Sequence, residues 1–131
     1  MYLSLTTVSI CAKNVMRNDM ANKYNNKKVV IDGITFDSIK ESQRYGELKL
    51  MEKAGKIRDL EIHPEIELQP SFTYRGNGIR AIKYEPDFWY VENGVQIFED
   101  LKGFETQLFR AKWKMLLYKF RNSPVEFRIV R

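Results

Sequence analysis

Two aspartates and a lysine stand where their side chains could bind a metal ion together. Asp87 and Asp100 each lie at the outer end of an apolar run, and Asn93-Gly94 joins the two runs. Asn-Gly is typical of a two-residue β-hairpin turn, which fixes strand pairing outward from the turn. Counting outward places Asp87 opposite Asp100, with Lys102 on the same face. Because opposed carboxylates repel each other, the hairpin needs a compensating feature.

Three features could compensate this repulsion. Lys102 could neutralise the acids in a salt bridge, or the end of the sheet could be open to water. A divalent cation could also lie between the two carboxylates, with the backbone carbonyl of Leu101 as a further oxygen ligand. Spacing alone does not decide between the metal and the salt bridge.

The position of Glu99, the neighbour of Asp100 in the sequence, depends on this strand register. If the register holds, Glu99 points to the opposite face of the hairpin. A one-residue bulge would exchange the two acids.

The elements before the acidic hairpin are predicted from turn and capping signals. The run VVIDGITF alternates around Asp32-Gly33 and predicts a first hairpin. A helix is predicted over Ser38–Ala54, ending at Gly55. Ile57–Gln69 reads as a strand interrupted near His63-Pro64.

The elements that follow complete an α/β order. Arg75–Gly78 predicts a turn or a flexible loop before the acidic hairpin. A helix over Glu105–Phe120 and a closing strand VEFRIV come after it. The helix suits a crossover that makes the last strand parallel to the second hairpin strand. Its predicted apolar stripe contains Leu108, Phe109, Trp113, Leu116, Leu117 and Phe120.

Composition bounds the class of protein. A chain of 131 residues with 44% hydrophobic residues fits one globular domain. We assign that domain to residues 23–131 and expect residues 1–22 to form a loosely ordered arm. The single cysteine, Cys11, excludes an internal disulfide and suggests a reducing compartment. Because no apolar run is long enough to cross a bilayer, the expected location is the cytoplasm. The lone His63 lacks histidine partners and is predicted to be a loop residue rather than a ligand.

Charge is distributed unevenly along the chain. Residues 38–103 carry 10 Lys/Arg against 12 Asp/Glu, whereas residues 104–131 carry 7 against 2. An acidic centre beside a basic segment suits a polyanionic partner. A solvated charged helix explains the same charges without a partner.

Pro86-Asp87, followed a dozen residues later by Asp100-Leu101-Lys102, resembles the PD-(D/E)XK signature of the restriction-endonuclease-like nucleases. The predicted order of helix, three strands, helix and strand resembles the core of that superfamily. The stretch from about residue 23 to 119 is similar to a family of small phage-encoded endonucleases. The similar segments are KYNNKKVVIDGITFDS, ESQRYGELKLMEKAGKI, PDFWY and EDLKG. Residues 1–19 have no counterpart in that family.

The resemblance implies a restriction-endonuclease-like core (αβββαβ, a mixed sheet flanked by helices) preceded by a β-hairpin. It assigns Asp87 and Asp100 to Mg²⁺ or Mn²⁺, and the Leu101 carbonyl remains the backbone ligand suggested by the hairpin spacing. Lys102 corresponds to the catalytic lysine, which orients the attacking water or stabilises phosphate charge.

The remaining predicted site residues lie on the two predicted helices. Glu41 either caps the first helix or supplies a third carboxylate, since it shares the inward stripe with Tyr45 and Leu48. The resemblance favours the metal role for Glu41. On the last helix it places Lys112 and Thr106 near the scissile phosphate. Backbone contacts to DNA are further expected from Arg110, Lys114 and Lys119.

These residues and the resemblance together predict a Mg²⁺-dependent DNA endonuclease. The resemblance further implies that it acts in phage DNA recombination, repair or processing in the host cytoplasm. A nuclease that resolves four-way (Holliday) junctions would favour a homodimer, because two strands must be cut symmetrically. The alternatives are a catalytically silent DNA-binding or scaffold protein with the same fold, and a structural or inhibitory phage protein.

Overall fold

A computed structural model of the chain describes residues 8–10 and 27–131. The described residues form helices α1 (Ile39–Lys53) and α2 (Gln107–Lys119). The strands are β1 (Val8–Ile10), β2 (Val29–Ile31), β3 (Ile34–Phe36), β4 (Ile57–Ile62), β5 (Pro64–Gln69), β6 (Phe72–Tyr74), β7 (Asn77–Ile79), β8 (Ile82–Tyr84), β9 (Phe88–Glu92), β10 (Val95–Leu101) and β11 (Glu126–Val130). No helix in this described part is long and apolar enough to cross a bilayer.

The predicted N-terminal arm, residues 1–22, lies outside the described residues except for β1. Strand β1 pairs antiparallel with β5, so Val8–Ile10 extend a sheet of the domain. Cys11 also lies outside the described residues.

The acidic hairpin is formed by β9 and β10. Its predicted register is confirmed from the turn outward to the pair Phe88–Glu99, and the two aspartates occupy the next position. Asn93 and Gly94 have φ of 51° and 76°. These left-handed angles are what a two-residue hairpin turn requires.

Helix α1 begins and ends close to the predicted positions. Ser38 is the N-cap, and its hydroxyl accepts a hydrogen bond from Glu41 N at 3.1 Å. The helix stops before Gly55, which has a φ of 76°. The predicted hairpin around Asp32-Gly33 is also confirmed, as β2 and β3 pair antiparallel just before the helix.

The central sheet is mixed and has the strand order β11-β10-β9-β4. The pairs β4–β9 and β9–β10 are antiparallel, whereas β11 is parallel to β10. Helix α2 connects β10 to β11, so the predicted crossover is confirmed. The described chain is therefore an α/β structure whose central elements follow the order α1, β4, β9, β10, α2, β11.

Between β4 and β9, the predicted interruption at His63-Pro64 and the predicted turn at Arg75–Gly78 are both observed. The sheet that β5 joins and the strands on either side of that turn were not predicted. At His63 the backbone turns through a φ of 53°, so β5 leaves the central sheet and joins a second sheet of order β1-β5-β8. The segment Arg75–Gly78 belongs to a hairpin, β6–β7, with its turn at Arg75-Gly76.

Helices α1 and α2 cover opposite faces of the central sheet. Alternate residues of β9 and β10 enter two clusters, since successive side chains of a strand point to opposite faces. The cluster on the α1 side contains Phe36, Tyr45, Leu48, Ile57, Phe88, Tyr90 and Ile97. The cluster on the α2 side contains Ile66, Tyr84, Trp89, Val91, Phe98, Phe109, Leu116 and Phe120.

The predicted apolar stripe of α2 was too broad. Phe109, Leu116 and Phe120 are buried and Trp113 packs against them, but Leu108 and Leu117 are exposed. At about 100° per residue, the two leucines lie roughly 80–100° from the centre of the buried stripe. The helix therefore packs through its aromatic side and leaves both leucines in solvent.

Candidate metal centre

Asp87 and Asp100 meet at the open end of the β9–β10 hairpin. Asp87 is partly buried, and its Oδ2 accepts a hydrogen bond from Leu101 N at 2.7 Å. Asp100 is buried, and its Oδ2 accepts a hydrogen bond from the Tyr84 hydroxyl and lies 3.3 Å from Lys102 Nζ. The hairpin thus brings together both acids and the lysine, as the register predicted.

Glu41 reaches the same place from α1. Its carboxylate is buried, and Oε1 lies 2.7 Å from His63 Nε2. Single ligand atoms of Glu41, His63 and Asp87 all lie within 4.8 Å of one another. The capping bond of α1 uses the backbone N of Glu41, so its side chain is available to this cluster.

His63 is the residue that sequence reasoning missed. It lies in a bend between β4 and β5, as a loop residue would, but its ring faces Glu41 and its backbone N donates to Asp87 O at 2.9 Å. The strand break at His63-Pro64 was visible in the sequence. The contact with Glu41, 22 residues earlier in the chain, was not.

Asp87 lies between two groups of side chains. On one side is the Glu41–His63 pair, and on the other are Asp100, Tyr84 and Lys102. Asp100 is not part of the set within 4.8 Å, but hydrogen bonding with its carboxyl is one of the effects that raise the pKa of Asp87. The site is therefore an elongated row of donors with Asp87 in its middle.

The ionisable side chains of this row have shifted pKa values. Burial, the Glu41 carboxylate and the hydrogen bond to Asp100 raise the pKa of Asp87 to about 9, against the opposing effect of Leu101 N–H. The hydrogen bond to Glu41 raises the pKa of His63 more than burial lowers it. Burial and the Asp100 carboxylate also raise the pKa of Tyr84, so its hydroxyl remains a donor. Burial is therefore the main cause of the raised pKa for Asp87 and Tyr84, and neighbouring carboxylates add to it, whereas for His63 the Glu41 carboxylate is the main cause.

The donor set fits a hard divalent ion. Carboxylate oxygens of Glu41 and Asp87 lie within 4.8 Å of each other, Asp100 is the next acid along the row, and oxygen ligands are those that Mg²⁺ prefers. In a β-strand, the N–H and the C=O of one residue point to the same side of the strand. Because Leu101 N donates a hydrogen bond to Asp87, the Leu101 carbonyl also lies on the Asp87 side. The His63 imidazole is also compatible with Mn²⁺.

Helix α2 lies next to the acidic row through its first turns. Lys102 Nζ lies 4.8 Å from the centre of the Phe109 ring. Thr106 caps the helix by accepting a hydrogen bond from Phe109 N at 3.0 Å, which is a structural use of its hydroxyl. Arg110 and Lys114 are exposed.

The two other basic residues predicted to contact DNA are less exposed. Lys112 is partly buried, and Lys119 Nζ donates a hydrogen bond to the backbone carbonyl of Glu67. Lys119 therefore ties α2 to β5 in this structure. Arg110 and Lys114 are the members of the predicted set that face solvent.

Glu99 occupies the opposite face of the sheet, as the register predicted. It pairs with Phe88 without a bulge, and its carboxylate accepts hydrogen bonds from Arg44 and Tyr90. Glu99 and Asp100 have therefore not exchanged places.

Comparison with known proteins identifies a family and no activity. The model of a family described as "Protein of unknown function (DUF1064)" matches residues 21–130, and the chain belongs to this family. Neither the curated proteins nor the solved structures that were searched contain a match.

Proposed function

We propose that this member of the DUF1064 family is a metal-dependent DNA endonuclease that hydrolyses phosphodiester bonds. One observation carries the proposal: the carboxylates of Glu41 and Asp87 lie within 4.8 Å of each other at the end of a sheet, with Asp100 and Lys102 on the other side of Asp87. Burying acids together is costly unless a cation joins them. A catalytic role accounts for this arrangement and for the lysine next to it.

The arrangement of elements supports a restriction-endonuclease-like core. The order α1, β4, β9, β10, α2, β11 corresponds to the αβββαβ order of that superfamily, with β5–β8 inserted. The central strand order β11-β10-β9-β4 places the Asp-Leu-Lys strand next to the crossover strand. The aspartates of the PD-(D/E)XK-like motif then lie at adjacent strand ends.

The residues that would hold Mg²⁺ or Mn²⁺ are Asp87, Asp100, Glu41 and the carbonyl of Leu101. When bound, such an ion supplies Lewis acidity and lowers the pKa of a coordinated water. The chain orients these ligands itself. Leu101 N–H fixes Asp87, the Tyr84 hydroxyl fixes Asp100, and His63 fixes Glu41.

Lys102 supplies a positive charge at the phosphate. Its ammonium group lies 3.3 Å from Asp100 Oδ2 and is held over the Phe109 ring. In that position it can stabilise negative charge that develops on a phosphate oxygen. The same contact neutralises part of the Asp100 charge when no substrate is present.

The C-terminal segment provides an electrostatic surface for DNA. Residues 104–131 carry 7 basic against 2 acidic residues, and Arg110 and Lys114 are exposed on α2. Contacts of this kind position the phosphate backbone without reading sequence, and they weaken as salt rises.

Cleavage of supercoiled plasmid and of a synthetic four-way junction, in Mg²⁺, Mn²⁺ or EDTA, tests the proposal. The native protein is expected to cut in either metal and to stop in EDTA, and Asp87→Asn and Lys102→Ala are expected to lose cutting. Asp59→Asn and Lys49→Ala are matched controls, because both residues form exposed ion pairs away from the site.

DNA binding without cleavage, and without heat of Mg²⁺ binding in calorimetry, would overturn the nuclease proposal. It would support the silent DNA-binding protein, in which the Lys102–Asp100 ion pair only neutralises the hairpin. Preference for the junction, together with a dimer in solution, would assign the enzyme to junction resolution.

A further inference from the structure

The hairpin β6–β7 projects from the domain without cover among the described residues. Its strands, Phe72–Tyr74 and Asn77–Ile79, pair only with each other in the described part of the chain, and all six residues are exposed. An isolated two-stranded hairpin is marginally stable in water. A hairpin that nevertheless displays large apolar side chains is typical of a contact surface.

The large side chains of this hairpin share one face. Phe72 pairs with Ile79 and Tyr74 with Asn77, and residues that are paired or two apart point to the same side. The exposed fractions are 46% for Phe72, 57% for Tyr74 and 38% for Ile79. The hairpin therefore presents two aromatic rings and an aliphatic side chain along one side.

The charge around this aromatic face is positive. Residues 70–84 contain Arg75, Arg80 and Lys83 and no acidic residue. The guanidinium of Arg75 lies 5.4 Å from the centre of the Tyr74 ring. Lys83 is already bound to Glu65, so the two arginines carry the charge of the hairpin itself. Flat aromatic groups beside arginines match stacked bases with attached phosphates.

Strand β8 connects this hairpin to the candidate metal centre. Its last residue is Tyr84, whose hydroxyl donates to Asp100, and its first residue, Ile82, follows the hairpin after two residues. A fully extended chain from Tyr84 to the turn at Arg75-Gly76 spans at most about 30 Å. Nucleotides of one duplex strand are about 3.4 Å apart, so the turn lies within roughly nine nucleotides of the acids.

We infer that the β6–β7 hairpin binds unstacked bases of the DNA substrate near the point of cleavage. The inference rests on the proposed nuclease function and adds a substrate class to it. Stacking requires a base whose face is accessible, which an intact duplex does not offer. The enzyme therefore selects DNA with single-stranded segments, such as forks and flaps, over intact duplex.

Fluorescence anisotropy measures this selection without cleavage. The probes are a labelled forked DNA with single-stranded arms and a blunt duplex of the same paired sequence, both in EDTA. Since stacking contributes about 1–3 kcal/mol per base, Tyr74→Ala is expected to weaken fork binding about 5- to 150-fold. Duplex affinity should stay as in the native protein. Tyr74→Phe should retain fork binding, and Leu50→Ala is the matched control for loss of an exposed apolar side chain.

Three outcomes would overturn the inference: equal fork affinity in Tyr74→Ala, equal loss on fork and duplex, or a dimer that Tyr74→Ala dissociates. The last outcome would make the hairpin a protein interface. The two proposals fail separately, because fork binding that depends on Tyr74 without any cleavage supports the hairpin and rejects the nuclease. Metal-dependent cleavage that Tyr74→Ala leaves unchanged on both DNAs supports the nuclease and rejects the hairpin.

Discussion

Glu99 and Asp100 are neighbours in the sequence and both are buried, yet they occupy opposite faces of the sheet in different environments. The Glu99 carboxylate, 0% exposed, is held by Arg44 Nε at 2.5 Å, Arg44 Nη2 at 3.0 Å and the Tyr90 hydroxyl at 2.6 Å. Asp100, 2% exposed, has the Tyr84 hydroxyl and a lysine at 3.3 Å, and it faces a second aspartate.

The difference separates a carboxylate that stabilises the fold, Glu99, from one that can still bind a cation, Asp100. Glu99 has a bidentate guanidinium partner, so its charge is compensated within the protein. At the open end of the hairpin, three acids share one lysine and one histidine. Burial alone therefore does not identify a candidate catalytic acid, whereas burial with incomplete compensation does.

The largest expected effect is on activity, from Asp100→Asn. The amide removes one anionic ligand, and we expect the cleavage rate to fall about 100- to 10,000-fold. Stability should be unchanged or higher, because Tyr84 can still donate to the amide oxygen while a buried charge is lost. Plasmid cleavage and urea denaturation of the same preparation give both values. A fully active Asp100→Asn would remove Asp100 from the site.

The second effect is on stability, from Glu99→Gln. Arg44, 23% exposed, loses its anionic partner, and we expect the free energy of unfolding to fall by about 1–3 kcal/mol. Urea denaturation measures the change, and cleavage by the folded protein should be unaffected. Glu47→Gln is the matched control, since Glu47 pairs with the same arginine at 62% exposure and should cost less than about 0.5 kcal/mol. Loss of cleavage with normal stability would instead exchange the roles of Glu99 and Asp100.

The third effect is a pH dependence of the metal-free protein. Because the pKa of Asp87 is raised from 3.8 to about 9, the folded state keeps a proton that the unfolded chain releases between these values. The free energy of unfolding should therefore fall as pH rises through this window, by at most about 1.4 kcal/mol per pH unit. Asp87→Asn should lose this contribution. Thermal or urea unfolding at a series of pH values measures the difference between the two proteins.

Added Mg²⁺ provides the check on that pH dependence. Because the ion binds ionised carboxylates of the native state, it should restore stability at high pH and have little effect at low pH. Two results would contradict the assignment of this pH dependence to Asp87. One is an unchanged dependence of the unfolding free energy on pH in Asp87→Asn, and the other is an unfolding free energy that does not change when Mg²⁺ is added.

Local signals predicted the elements that carry the two aspartates. Asn93-Gly94 set the register of β9 and β10, and the alternation of side chains placed Glu99 and Asp100 on opposite faces. Ser38 and Gly55 marked the ends of α1 in the same way. These predictions succeeded because turn and capping preferences depend on residues only a few positions apart.

The parts that failed depend on packing between distant segments. The buried side of α2 was too broad in the prediction, because a stripe that includes Leu108 and Leu117 satisfies helical periodicity as well as the observed one. The departure of β5 into a second sheet required knowledge of its partners β1 and β8.

By itself, the sequence determined that Asp87, Asp100 and Lys102 share one side of a hairpin, because a tight turn and a two-residue period fix strand register. Only the tertiary structure decided which other side chains join them. Glu41 and His63 are separated from each other by 22 residues and meet because α1 and the β4–β5 bend pack at the same end of the sheet. No local preference encodes that contact, since it arises from burial of whole elements against one another.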